Sequence, residues 1–234
     1  ATDGSTVWTF TPDTPAWNFY ALFLDDGTFA YQDLEGKLYR NRLSDGALIW
    51  KKGGFPGGWT DGCAGLGPDG TVFGVTNHGP NRCADEACKA DVTAYNLNDG
   101  TVKWTADRPM STNSFPAVGP AFGRSGLQVV VNNDRGEIAG LDVETGELLW
   151  TWQAPMDGCC FKGDKEGLLT RLLVQPSRPE YVANLWSNLA IGADGTVYGG
   201  VSTGKFYALH DSNGDGQIDP LTEVSEFDAD ASFP

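Results

Sequence analysis

Short runs of alternating or wholly apolar residues fill most of the chain, and nearly every run stops at a glycine. One set reads "GKLYRNRL" at 36–43, "DVTAYNLN" at 91–98, "GEIAGLDV" at 136–143 and "GKFYALHD" at 204–211. A second set lies upstream of these: "DDGTFAY" at 25–31, "PDGTVFG" at 68–74 and "ADGTVYG" at 194–200. A third set lies downstream and ends in tryptophan: "DGSTVW" at 3–8, "SDGALIW" at 44–50, "NDGTVKW" at 98–104 and "ETGELLW" at 144–150. Period-two patterning over four to eight residues, bounded by turn residues, is the signature of β-strands. The Asp-Gly and Thr-Gly boundaries predict hairpins with two-residue turns, because glycine reaches positive φ without steric cost.

An apolar stretch precedes some of the Asp-Gly-Thr turns, as in "FYALFLD" at 19–25 and "SNLAIGAD" at 187–194. The unit is therefore four strands, repeated about every 42–54 residues as marked by Trp8, Trp50, Trp104 and Trp150. A four-stranded meander at that period predicts an all-β fold, a β-propeller of four-stranded blades. One twisted sheet cannot bury both its faces alone, whereas neighbours stacked face to face can. The expected units are about 11–52, 59–107, 113–154 and 185–228, in a single propeller-like domain over 1–234 with an insertion at 155–184. Four units also suit one part of a larger or dimeric propeller. The Trp8 strand lacks three strands of its own, and "EVSEF" at 223–227 has Phe227 where tryptophan is expected. The expectation is that the Trp8 strand pairs with unit four, within the chain or by strand exchange in a homo-oligomer.

Composition narrows the function classes. There are 31 glycines and 13 prolines in 234 residues, which disfavours long helices. The formal charge of -15 repels nucleic-acid backbones, so no nucleic-acid partner is expected. No apolar run is long enough to predict a membrane span. The first ten residues enter directly into strand-like sequence, which reads as the start of a processed or trimmed chain. Five cysteines, at 63, 83, 88, 159 and 160, lack the paired spacing of a zinc site. They point to a secreted protein, extracellular or periplasmic, with a Cys83–Cys88 disulfide. Cys63 is then left to pair with Cys159 or Cys160, or to stay free beside a Cys159–Cys160 ring.

"GLDVETGELLWTWQAP" at 140–155 resembles the tryptophan-docking repeat of the PQQ-like, quinoprotein-type β-propeller family. Asp142, Thr145, Gly146 and Trp150 match that repeat, and Gly140 replaces its usual alanine. "AYNLNDGTVKWTA" at 94–106 matches more loosely, and "YRNRLSDGALIW" keeps the glycine and the tryptophan. The resemblance implies that each tryptophan packs on a peptide plane of the next blade. Family dehydrogenases hold PQQ and a metal ion on the axis of a larger disc, but their catalytic and metal-ligating residues find no matched positions here. PQQ is therefore not expected.

"DSNGDGQID" at 211–219 carries oxygen-bearing side chains at alternate positions, Asp211, Asn213, Asp215 and Asp219, with Gly216 for a sharp turn. Gln217 would offer its backbone carbonyl. Hard oxygen donors at this spacing suit calcium. The twelfth position is Thr222 rather than the glutamate of an EF-hand, with Glu223 one further. The nine-residue form resembles the calcium loops of integrin-type (FG-GAP) propeller blades. The two histidines, His78 and His210, would form a copper or zinc site if their loops converged. No nucleophile elbow or phosphate-cradling loop is present. The reading is a secreted, calcium-binding propeller that acts as a non-catalytic binding or scaffold module for a protein or glycan partner. The alternatives are a fragment or subunit of a PQQ-dependent dehydrogenase, and a copper-binding surface protein.

Overall fold

The computed structural model describes residues 3–16, 19–60, 64–78, 89–109, 112, 115–133, 136–155, 186–201 and 204–229. All five cysteines, and with them the expected Cys83–Cys88 bridge, lie outside these residues, as does all of the insertion but its first residue. The described residues contain no helix and form four antiparallel sheets of four strands, each in simple sequence order. The first comprises β1 (Leu22–Phe23), β2 (Thr28–Gln32), β3 (Lys37–Arg42) and β4 (Leu48–Gly53). The second comprises β5 (Gly65–Leu66), β6 (Thr71–His78), β7 (Lys89–Asn96) and β8 (Val102–Pro109). The third comprises β9 (Ala117–Pro120), β10 (Leu127–Asn132), β11 (Glu137–Asp142) and β12 (Leu148–Gln153). The fourth comprises β13 (Ala190–Ile191), β14 (Val197–Gly200), β15 (Lys205–Leu209) and β16 (Val224–Asp228).

The sheets stack as propeller blades. Val72 of β6 packs with Leu38 and Trp50 of the first blade. Its neighbours Phe73 and Val75 pack with Val129 and Val131 of β10. Val130, between them, faces the fourth blade with Ile138, Trp150, Val197, Tyr207 and Leu209. Successive side chains of one strand thus enter different cores, which is why the middle strands are apolar on both faces. The first strands of blades two, three and four lie together. A Cβ on Gly65 would lie 2.4 Å from the Pro116 carbonyl oxygen, and one on Gly119 would lie 2.8 Å from Ile191.

Asp-Gly-Thr forms the first hairpin turn in three blades. Asp26, Asp69 and Asp194 each accept a hydrogen bond from the backbone N–H of the threonine two residues on, at 3.0–3.1 Å. The turns before the tryptophan strands are longer than the two-residue form the glycine spacing predicts. They cover 43–47, 97–101 and 143–147, and Gly46, Gly100 and Gly146 donate to the carbonyls of Arg42, Asn96 and Asp142. A register shift precedes each of them, at Arg40/Asn41, Ala94/Tyr95 and Gly140/Leu141.

Residues 3–16 form no strand ladder. Among the described residues the expected pairing of the Trp8 strand with unit four within the chain is not made, since β16 pairs there with β15 alone. The physical reason is a series of contacts that commit the segment to blade one. Trp8 donates its indole N–H to the Leu43 carbonyl at 2.7 Å and stacks on Phe29. Phe10 packs edge-on against Tyr39. The Asp13 N–H donates to the Tyr39 hydroxyl, which in turn donates to Asp33, both at 2.9 Å. Lys37 and Lys51 both pair with the Asp13 carboxylate and hold its pKa down to about 2.

Candidate metal site at the third seam

Three tryptophans dock in one way. The indole N–H of Trp8, Trp50 and Trp104 donates to the carbonyl of Leu43, Leu97 and Val143, at 2.7, 2.9 and 2.8 Å. Each ring covers a glycine on the receiving turn. Gly46, Gly100 and Gly146 have φ of 70°, 70° and 75°, and a Cβ on any of them would stand 2.5–2.8 Å from the ring. Glycine is required there twice, by backbone conformation and by the ring above it.

The fourth tryptophan breaks this pattern. Trp150 donates to the side-chain oxygen of Gln128 in its own blade, at 2.8 Å. Gln128, fully buried, passes its amide N–H on to the carbonyls of Pro120 and Gly195, the latter in blade four. A Cβ on Gly140 would lie 2.2 Å from the Trp150 indole nitrogen, which explains why glycine replaces the usual alanine there. In place of a docking turn, blade four offers the loop between β15 and β16, which carries the oxygen-rich motif.

That loop lies against blade three at several points. Gln217 bridges to Thr151 in parallel sense. Gly216, with φ of 80°, has the Leu149 carbonyl oxygen 2.9 Å from where its Cβ would be. Gly123 faces Gly214 and the Asp211 carbonyl, 3.0 and 3.2 Å from its own would-be Cβ. Ile218 enters the core that holds Trp150. Blade three lacks an Asp-Gly-Thr turn at this place, and its Phe122–Gly126 turn is shaped around Gly123 instead.

Within the loop, Asp211 accepts hydrogen bonds from the Gly214 and Gly216 N–H groups, at 2.6 and 2.9 Å. Asn213 accepts from the Asp215 N–H, and Asp215 from the Gln217 N–H. The side-chain amide of Asn213 donates to Asp215. Asp219 accepts from Leu221. Glu223, outside the nine-residue motif, ties the loop ends together: one oxygen accepts from the Ser212 N–H and hydroxyl and the Asn213 N–H, the other from the Asp219 N–H. These bonds, that from Asp219 foremost, hold its pKa below the usual glutamate range. Its signal in the sequence was an acid one place past the EF-hand position.

Asp211 is 2% exposed and Glu223 5%, and no Lys or Arg among the described residues pairs with either. Buried carboxylates without a cationic partner fit a metal site made of hard oxygen donors. Among the described residues, however, no three His, Cys, Asp or Glu side chains are gathered as for a bound ion.

The structure does not bring His78 and His210 together. His78 ends the second strand of blade two, pairs with Asp91 at 2.7 Å and packs on Phe55. His210 follows the third strand of blade four, lies 3.1 Å from the Thr196 hydroxyl and packs on Phe122. Second and third strands run antiparallel, so the two histidines sit at opposite ends of their sheets.

Repeated docking of tryptophan on glycine is the decisive feature, and comparison with known proteins agrees with it. The PQQ_2 family model, described as "Outer membrane protein assembly factor BamB", matches residues 1–158. The chain belongs to this family. Among solved structures it is similar to BamB from Moraxella catarrhalis, with a TM-score of 0.60 at 15% identity. The match covers 96% of this chain and 56% of that one, so the chain spans little more than half the length of its solved relative. No curated protein sequence matches. The PQQ_2 match ends at residue 158, so blade four, with the acidic loop, lies beyond it.

Proposed function

We propose that this PQQ_2 propeller is an exported, non-catalytic binding or scaffold module stabilised by calcium. The observation that carries the binding role is a row of exposed aliphatic side chains at one register position. Leu48, Val102 and Leu148 open β4, β8 and β12, just past the register shift, and are 40%, 56% and 52% exposed. Each stands on an outermost strand whose other edge has no partner strand among the described residues. Repetition at three equivalent rim positions favours an extended partner laid across several blades, a protein before a glycan. The family description, an outer-membrane assembly factor, supports a protein partner and a periplasmic setting. Among the described residues no helix is long and apolar enough to cross a membrane.

Calcium would be held by the side chains of Asp211, Asn213, Asp215 and Asp219 and the Gln217 carbonyl, with Glu223 fastening the loop. It would neutralise buried negative charge. A PQQ-dependent dehydrogenase has the docking repeat in its favour but no matched catalytic position.

Photo-crosslinking groups at 48, 102 and 148, set in turn in cells of the source organism, test the rim. Capture of the same protein from all three positions, with capture from 48 and 148 lost on Val102→Glu, is the expected result. Unrelated captures from the three positions would overturn it. Calorimetry tests calcium: Asp215→Ala should abolish binding.

A further inference from the structure

Between blades three and four the docking turn is missing, and the motif loop stands in its place. We infer that the cation held by this loop is the joint between blade three and blade four, so that calcium governs their docking rather than the loop alone. This inference rests on the calcium reading above.

At the other seams a ring lies on a glycine and an indole N–H on a carbonyl, beside side-chain contacts such as Arg40 to the Leu97 carbonyl and Arg108 to Glu137. At the third seam Trp150 makes neither contact with blade four, and its N–H stays within blade three. The loop reaches blade three at Gln217 to Thr151, Gly216 to the Leu149 carbonyl and Gly214 to Gly123, beside the Gln128–Gly195 bond, the Phe122–His210 ring contact and the apolar core of the seam. All three contacting residues lie inside the nine-residue motif. The same short backbone that would wrap the ion therefore forms the face pressed on blade three. The shape of that face depends on Asp211, whose carboxylate oxygens are spread between the Gly214 and Gly216 N–H groups. Asp211 and Glu223 are buried there without a cationic side chain, so an empty loop carries charge that a cation would offset. Any opening of the loop would withdraw all three contacts together.

Coupling of this kind is reciprocal. If calcium tightens the seam, a change on the blade-three side must weaken calcium binding by the same factor. Gly123 provides that change. It contributes no ligand atom, and a methyl group there would press on Gly214 and the Asp211 carbonyl.

The test is hydrogen exchange on the intact chain with calcium and with chelator, together with calcium titration of the wild type and of Gly123→Ala. The expected result is slower exchange with calcium, about fivefold or more, at residues 149–151 of blade three as well as 211–223. The seams at Trp50 and Trp104 should not change. Gly123→Ala should bind calcium about fivefold or more weakly. Protection confined to 211–223, with wild-type affinity in Gly123→Ala, would overturn the joint and leave the calcium reading standing. Absence of any calcium binding by the wild type would overturn both. Should Gly123→Ala fail to fold, the exchange pattern of the wild type alone decides between these outcomes.

Discussion

At residue scale, glycines with the same backbone conformation differ in what surrounds them. Gly70 has φ of 79° and nothing within 4 Å of a would-be Cβ, while Gly146, at 75°, has the Trp104 ring at 2.6 Å. Gly70→Ala should cost only the left-handed strain, about 1–2 kcal/mol. Gly146→Ala should cost about 1–3 kcal/mol more, because the ring must also move. Urea denaturation of the two variants measures the difference. Asp13 is legible in another way. Its folded pKa, about 2, lies below the ordinary 3.8, so its pairing with Lys37 and Lys51 stabilises the fold above pH 3.8. That contribution is lost as pH falls from 3.8 through about 2. Acid titration should loosen, without detaching, the hold of blade one on the residues around Asp13 over this window, and Asp13→Asn should remove that part of the dependence. Proteolysis of the N-terminal segment against pH would show it.

At the scale of elements, the repeat was legible because its chemistry is local. Asp-Gly-Thr builds its own turn, and Trp104 needs only a glycine and a carbonyl on the next blade. What could not be read was where a segment goes when its sequence pattern allows two partners. The Trp8 strand suits any sheet edge, and only contacts distant in sequence, Leu43, Tyr39 and Lys51, assign it to blade one. The placement of His78 and His210 was not legible for a similar reason: nothing local says which end of a sheet a residue occupies. The oxygen-rich loop was legible as a turn between two strands, but its place against blade three was not, since Gln128 takes the Trp150 N–H from within blade three. Gln128→Leu should leave the Trp150 N–H and the Gly195 carbonyl without these partners, costing about 1–3 kcal/mol for each group left buried and unsatisfied. Thermal unfolding checks it, with Trp104→Phe, which removes one such bond at a regular seam, as the comparison.

At the scale of the molecule, stability should depend on free calcium by mass action. At a hundredfold excess over the dissociation constant, calcium would add about 2.7 kcal/mol. Chelation should therefore lower the melting temperature, and Asp215→Ala should lower it equally with calcium present. Blade four's outward face is a separate matter. Phe206 and Phe227 pair across β15 and β16 and are 38% and 66% exposed. Phe227→Ser should change stability by no more than about 0.5 kcal/mol, as for other surface positions. Tyr207, 1% exposed in the seam core, should not tolerate the same change.

Because Trp8, Trp50 and Trp104 dock alike, the first three blades are interchangeable parts. A chain shortened by one whole unit, from Trp50 to Trp104, would present Trp50 to Gly146, a surface already shaped to receive an indole. Blade number can therefore change by duplication or loss among these blades without a new interface having to arise. The joint between blades three and four has no such freedom: Trp150, Gln128, Gly123 and the acidic loop fit only one another. Changes in length are expected to accumulate on the N-terminal side of that joint, and the last two blades to be inherited as a pair.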